Sequence, residues 1–291
     1  MRHSWCRVVS TGKRILLAIP PTGLFLRDRC EAVALKSMMV QDIRPPMDLA
    51  YMAALLEAAG HKCRIGDYAA SGGDWSQVSK DLSSFAPTAL MVSTTSTTID
   101  EDMKICRLAK ERDPQTLTIA KGGFLYVEDR QVLERFADLD VAIRKEAEYF
   151  IAQIVDSADL SRVRGITHRQ NERIIRNPDP SSRADLDQLP LPARHLLDHQ
   201  LYRRPDTGAP LSVVLAGKGC SAECIYCSGK PFTGSVVRSR NPLAVADEMK
   251  HCVDEHGISD FLVQTDNISH DKEWILTLCQ QLVERRVGAT W

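Results

Sequence analysis

The sequence has no apolar run long enough to cross a membrane or to form the core of a signal peptide. Its clearest apolar stretch, residues 15–19, ends at Pro20-Pro21, whereas a membrane-spanning helix needs about 20 apolar residues. An excess of either charge is also missing, since 37 basic residues balance 38 acidic ones. Without a basic surplus, nothing attracts nucleic acid or anionic lipid in general. We therefore expect a cytoplasmic protein with no membrane span and no nucleic-acid partner.

The nine cysteines do not suit a disulfide framework, because their number is odd and no export signal precedes them. Free cysteine usually packs as a small buried hydrophobe. We assign no chemistry to the six that stand singly, which are Cys6, Cys30, Cys63, Cys106, Cys252 and Cys279.

Residues 13–165 alternate short apolar runs with amphipathic stretches, which is typical of a parallel sheet flanked by helices. This pattern predicts an α/β fold with a Rossmann-like (flavodoxin-like), doubly wound N-terminal domain behind a flexible N-terminus at 1–12. The predicted strands are 14–19, 62–68, 88–93, 116–120 and 141–144, and the predicted helices are 48–59, 75–85, 100–112, 127–136 and 147–157.

Proline-rich segments at 177–180, 189–192 and 205–208 predict an interdomain linker over 166–208. A second α/β domain follows at 209–291. Its predicted strands are 211–216 and 260–264, its predicted helices are 242–256 and 272–285, and a further strand begins at 287–291.

Three cysteines lie within eight residues, directly after a predicted strand: Cys220, Cys224 and Cys227. The carboxyl ends of parallel strands are where α/β proteins build active sites, and soft thiolates select iron–sulfur clusters or zinc. Three local thiolates leave one iron of a four-iron cluster open to a second molecule. A closed zinc site with a remote fourth ligand, His251 or Cys252, is the alternative.

The C-x3-C-x2-C spacing, with Tyr226 before the last cysteine, resembles the signature of the radical S-adenosylmethionine (SAM) superfamily. The resemblance implies a [4Fe-4S] cluster on the three cysteines, whose open iron binds SAM and whose electron cleaves it to a 5′-deoxyadenosyl radical. It also implies that the polar end of the second strand contacts SAM, where Gln264, Asp266 and Asn267 stand. The alternative for this segment is capping of the next helix by Asp266, Asn267 or Ser269.

The D-x-H-x-x-G motif of one class of cobalamin domains is not found in the sequence. The order of several other segments nonetheless resembles cobalamin-dependent radical SAM enzymes over nearly the whole chain, and these segments are 20–23, 45–51, 58–61, 67–68, 93–96 and 122–123. The resemblance implies that loops after the first, third and fourth strands surround the corrin. Small hydroxyl residues and glycines suit this role, because they leave room for a flat macrocycle and hydrogen-bond its amides. The candidates are Thr22, Ser93, Thr94, Gly122 and Gly123. An ordinary flavodoxin-like sheet without a ligand is the alternative.

Two segments depart from the family pattern. Relatives often read G-G-P-H and R-G-E-G-E, where this chain has Gly122-Gly123-Phe124-Leu125 and Arg144-Lys145-Glu146-Ala147-Glu148. Lys145 and Ala147 add side chains where backbone approaches the ligand or the barrel. Near the cysteine loop, Lys230 and Arg238 are predicted to be solvated surface charges.

The resemblance implies methyl transfer to an unactivated centre of a small-molecule or lipid-like substrate, with a flavodoxin- or ferredoxin-like electron donor. Radical ring closure or rearrangement is the second option. A non-catalytic fragment that binds a cluster or corrinoid, and a zinc-binding regulatory module, are the non-enzymatic ones. No catalytic residue is predicted. A barrel of this type has about six βα units, so we expect a radical SAM domain present only in its N-terminal portion and a family sequence that continues past Trp291.

Overall fold

The computed structural model describes residues 12–28, 31–34, 43–180, 183, 185–227 and 229–291. The predicted flexible N-terminus, apart from Gly12, lies outside the described residues, as do Cys6 and Cys30. No helix in these ranges is both long enough and apolar enough to cross a membrane.

A seven-stranded sheet organises the N-terminal half of the chain. In spatial order its strands are β4 (Lys62–Asp67), β1 (Arg14–Ile19), β5 (Ala89–Ser93), β6 (Leu117–Lys121), β7 (Val141–Ile143), β8 (Ile166–Gln170) and β9 (Arg173–Arg176). The first five are parallel, and β8 and β9 are antiparallel to their neighbours. A separate hairpin joins β2 (Phe25–Asp28) to β3 (Glu31–Ala34).

Helices cover both faces of this sheet: α1 (Met47–Ala58), α2 (Trp75–Phe85), α3 (Ile99–Asp102), α4 (Lys104–Arg112), α5 (Leu125–Arg135) and α6 (Ile151–Asp156). Alternate residues of β1 enter opposite cores, because successive side chains of a strand point to opposite faces. Ile15 and Leu17 pack with α1 and α6. Leu16 packs with α2, α4 and α5. The predicted doubly wound α/β fold is confirmed.

Residues 166–176 correct the sequence analysis, which assigned them to the linker. They form β8 and β9, which extend the sheet beyond β7. The prediction was wrong here because it weighed the prolines that follow and missed the β-branched residues of this hairpin, of which Ile166 is fully buried. The other predicted domain limits stay a prediction.

The second half of the chain is a βαβ unit followed by one further helix. Strand β10 (Leu211–Leu215) is parallel to β13 (Asp260–Gln264), and α8 (Pro242–His256) connects them; α9 (Lys272–Glu284) follows. Thr290 forms a parallel bridge to Asp260, where sequence analysis placed the next strand. The cysteine loop and the short helix α7 (Gly229–Thr233) lie between β11 (Gly217–Lys218) and β12 (Arg238–Ser239), which pair antiparallel.

The two halves share a core. Tyr51 of α1 packs with Val213 and Leu215 of β10. Next to this contact, the buried carboxylate of Glu248 on α8 forms an ion pair with Arg194 at 2.8 Å and accepts a hydrogen bond from Arg240 at 2.6 Å. Arg194 lies in the predicted linker, so this ion triad ties the linker to the βαβ unit.

Candidate functional site

A cavity of about 1600 Å³, a volume that includes open solvent, lies where the carboxyl ends of the N-terminal strands meet those of β10 and β13. Ligands of α/β proteins bind outside the carboxyl ends of strands, so this is the position expected for a binding site. Its lining includes Ser93, Thr94, Thr95, Lys121, Gly122 and Gly123 from the sheet, and Leu215, Gly217, Gln264 and Asp266 from the second half.

Four of the five residues predicted for the corrinoid therefore line one cavity. Thr22 is not among its described lining residues, and its hydroxyl donates to Asp102 at 2.7 Å instead. The Thr22 hydroxyl, in the loop after β1, is therefore used in a contact within the protein. Binding by Ser93, Thr94, Gly122 and Gly123 stays a prediction.

Thr94 and Gly122 shape the wall of the cavity. Thr94 is 3% exposed, and its hydroxyl has no hydrogen-bond partner among the described residues. A buried polar group left in this state costs about 1–3 kcal/mol. A Cβ on Gly122 would lie 2.5 Å from the Thr94 carbonyl oxygen, so only glycine permits this close approach. The Thr94 hydroxyl suits a ligand with many hydrogen-bonding groups, such as the amide-rimmed corrin.

The residues predicted to contact SAM separate into two groups. Gln264 and Asp266 line the cavity, while the Asn267 side chain accepts from the Ser269 hydroxyl at 3.0 Å. The capping alternative was wrong for α9, because Asp271 caps that helix by accepting from Trp274 N–H at 3.1 Å. SAM contact by Gln264, Asp266 and Asn267 stays a prediction.

Asp266 has a role that sequence analysis missed. Its carboxylate accepts from the backbone N–H of Gly219 at 2.5 Å, directly before Cys220. Gly219 has φ +92°, and a Cβ there would lie 2.1 Å from the Val236 carbonyl oxygen. A glycine in the left-handed region and a carboxylate at the end of β13 thus fix the start of the cysteine loop.

The cysteine loop itself is accessible. Cys220 is half-buried, Cys224 and Cys227 are exposed, and all three are free. Within the part of the chain that is described, no group of three or more His, Cys, Asp or Glu side chains is arranged to hold a metal ion, so the three thiols do not converge here. The donor set fits an iron–sulfur cluster, because three soft thiolates occupy one short loop. Ligation of a cluster by these cysteines stays a prediction.

Cys252 does not suit the alternative zinc site. It is fully buried in the core around α8, and burial raises the pKa of its thiol to about 11. A zinc ligand must be the thiolate, so this position favours packing. His251 is exposed on the same helix and stacks edge-on against His256, with 5.7 Å between ring centroids.

A line of alternating charges connects the cavity to the cysteine loop. The Lys218 ammonium donates a hydrogen bond to the Glu148 carboxylate at 2.8 Å, and Lys121 forms an ion pair with Asp48. Burial alone would raise the pKa of the Glu148 carboxyl, but Lys218 and Lys121 lower it to about 2. Burial likewise would lower the pKa of the Lys121 ammonium, but Asp48 and Glu148 raise it. Glu148 and Lys121 are therefore both charged at neutral pH.

Arg238 corrects a second prediction. It is not a solvated charge, because its side chain is 15% exposed and holds Glu146 through two hydrogen bonds of 2.6 and 3.1 Å. The two glutamates of the R-x-E-x-E segment, Glu146 and Glu148, were the sequence signal that could have predicted a buried cation partner. Lys230, in contrast, pairs with Glu223 at 3.1 Å on the surface, as expected of a solvated charge.

Comparisons with known proteins agree with this geometry. Residues 39–155 match the family described as B12 binding domain. An uncharacterized methyltransferase of Pyrococcus horikoshii is 21% identical over 282 residues, which cover 96% of this chain and 59% of the relative. An anaerobic magnesium-protoporphyrin IX monomethyl ester cyclase of Rubrivivax gelatinosus is 24% identical over 259 residues, covering 85% and 46%.

A solved structure shows the same fold. The radical S-adenosylmethionine methyltransferase TsrM from Kitasatospora setae, with cobalamin and a [4Fe-4S] cluster bound, superimposes with a TM-score of 0.69 at 17% identity, covering 94% of this chain and 51% of that one. The chain spans about half the length of the proteins it matches.

Proposed function

We propose that this chain is a cobalamin-dependent radical SAM enzyme, the family whose sequence pattern and fold it shares. The match of residues 39–155 to the B12-binding family and the fold shared with TsrM support this proposal. One observation carries the proposal. The loops predicted for the corrinoid and the strand end predicted for SAM line a single cavity, and Asp266 connects that cavity to the cysteine loop.

The departures from the family pattern leave the cavity open. Ala147 is fully buried in the core beneath α1 and α6, and Lys145 lies over the Tyr126 ring at 4.0 Å. Neither is among the described lining residues of the cavity. Phe124 is partly buried and packs against the core next to α5. The proposed corrinoid site therefore keeps its space despite these substitutions.

The chain's own residues would serve two functions in this reaction. Ser93, Thr94, Gly122 and Gly123 would hold the corrin, while Cys220, Cys224 and Cys227 would hold the cluster beside SAM. Bound together, these cofactors supply the reductive cleavage of SAM and the transfer of its methyl group, which is the hard chemistry. The protein contributes the positions of these residues and the cavity between the strand ends of its two halves.

We favour methyl transfer to a small-molecule substrate. Ring closure is the second candidate, because curated relatives include cyclases. Product analysis separates the two. Anaerobically reconstituted protein with cobalamin, SAM and a strong reductant should release S-adenosylhomocysteine if SAM donates a methyl group. Release of 5′-deoxyadenosine alone would favour the cyclase reading, and no SAM cleavage would overturn an enzymatic role for this chain.

The buried hydroxyl of Thr94 gives a sharper test of corrinoid binding. Thr94→Val keeps the shape and removes only a hydroxyl that has no partner among the residues the structure describes, so the apo protein should lose no stability. Cobalamin affinity should fall by about 3- to 10-fold, the value of one hydrogen bond. Titration of the apo protein with hydroxocobalamin, followed by absorbance, measures the change.

Thr116→Val is the matched control, because Thr116 is buried but its hydroxyl donates to the Pro87 carbonyl at 3.4 Å, away from the lining. It should lower stability slightly and leave cobalamin affinity unchanged. Equal cobalamin affinity in Thr94→Val and the unmodified chain would remove Thr94 from the proposed site.

A further inference from the structure

The hairpin that carries the cysteine loop places two cations side by side. Lys218 and Arg238 are direct register partners in the antiparallel pair of β11 and β12. Each side chain is only 15% exposed. Like charges directly opposite each other in a sheet repel, and partial burial strengthens that repulsion. The hairpin therefore needs anions from elsewhere to hold this register.

The N-terminal half supplies those anions. Glu146 and Glu148 are two residues apart, and their side chains are 6% and 7% exposed. Glu146 accepts two hydrogen bonds from Arg238, and Glu148 accepts one from Lys218. Arg183 adds a third cation, 3.1 Å from Glu146, and also donates to the Phe232 carbonyl beside the loop. Two carboxylates of one half thus fit two cations of the other.

This contact lies in the cavity wall next to the cysteine loop, because Glu146, Glu148 and Lys218 all line the cavity. Lys218 precedes Gly219 and Cys220, so its ammonium is fixed close to the start of the cysteine loop. On the other side, the charge of Glu148 acts on Lys121, which directly precedes Gly122 in the cavity wall. A shift of Glu148 would therefore affect both Lys218, before the cysteine loop, and Lys121, in the cavity wall.

We infer that Glu148, with Glu146, is a positioning residue that sets the cysteine loop against the cavity, so that SAM on the cluster faces the corrinoid. The inference rests on the proposed function. It assigns a role to the two acidic residues of Arg144-Lys145-Glu146-Ala147-Glu148, which touch the cations of the hairpin and none of the three cysteines.

The test compares Glu148→Gln, Lys218→Met and the double variant in reconstituted, cobalamin-loaded protein. Iron content should stay at the level of the unmodified chain, because no cysteine changes. SAM affinity should fall by about 10-fold, as for residues that orient metal ligands, and the change that SAM causes in the EPR spectrum of the reduced cluster should weaken. The double variant should lose no more than either single one, because both remove the same contact.

Lys218→Arg keeps the charge and is the rescue variant, while Glu134→Gln removes an exposed carboxylate paired with Arg130 at 3.8 Å and is the control. Both should behave as the unmodified chain. Unchanged SAM affinity and EPR in Glu148→Gln would overturn the inference. If Glu148→Gln does not fold, a Lys218→Met protein that responds to SAM as Lys218→Arg does would also overturn it.

The unmodified chain distinguishes this inference from the proposed function. If its reduced cluster forms and responds to SAM while the variants behave identically, only the positioning role fails. If the unmodified chain forms no such cluster, the proposed function fails first.

Discussion

Replacing Cys220, Cys224 or Cys227 by alanine is expected to abolish the iron–sulfur cluster. Each variant should fall from about four irons per chain to fewer than about one, because a cluster with three protein thiolates has no spare ligand. The reduced protein should then give no cluster EPR signal, and SAM cleavage should cease. Because Cys224 and Cys227 are exposed and make no core contact, the apo fold should keep its thermal stability.

Cys279→Ala provides the control for this experiment. Cys279 is an exposed, free thiol on α9 and lies outside the loop, so its loss should leave iron content and the EPR signal unchanged. A single alanine variant at Cys220, Cys224 or Cys227 that keeps a full cluster would contradict the assignment of ligands.

The largest loss of stability is expected for Glu248→Gln. Glu248 is 1% exposed, and its carboxylate is the shared partner of Arg194 and Arg240. The amide keeps the shape but leaves two buried guanidinium groups without a counter-charge. Breaking a buried ion pair in this way costs about 3–5 kcal/mol. The free energy of unfolding of the apo chain, from urea titration followed by circular dichroism, measures this cost.

Glu255→Gln on the same helix is the matched control, because Glu255 is exposed. It should change the free energy of unfolding by less than about 0.5 kcal/mol. A similarly small effect of Glu248→Gln would show that the triad contributes nothing to the packing of the linker on the βαβ unit.

Sequence analysis located the elements whose local pattern is strong. The strand Arg14–Ile19 and the helices Trp75–Phe85 and Pro242–His256 have the predicted bounds, because each combines clear periodicity with proline, aspartate or glycine at its ends. Ser93, Thr94, Gly122 and Gly123 reach one cavity for a related reason. The carboxyl ends of parallel strands lie at one edge of a sheet, so local position already specifies where these residues meet.

The misses depend on contacts between distant parts of the chain. Arg238 and Glu146 are 92 residues apart, and Asp266 reaches back 47 residues to Gly219. Arg194 and Glu248 join a proline-rich segment to a helix. A charged residue has the same local pattern whether it is solvated or paired across an interface. The partners of these charged residues could therefore not be assigned from sequence alone.

The central claim is that this chain combines a cluster on three cysteines with a corrinoid in the shared cavity. The most direct test is anaerobic reconstitution with iron, sulfide and hydroxocobalamin, followed by metal analysis and EPR of the reduced protein. The account predicts about four irons and about one cobalt per chain, with a cluster signal that SAM perturbs. Stoichiometric zinc in place of iron, in a colourless protein that retains no cobalt, would contradict it.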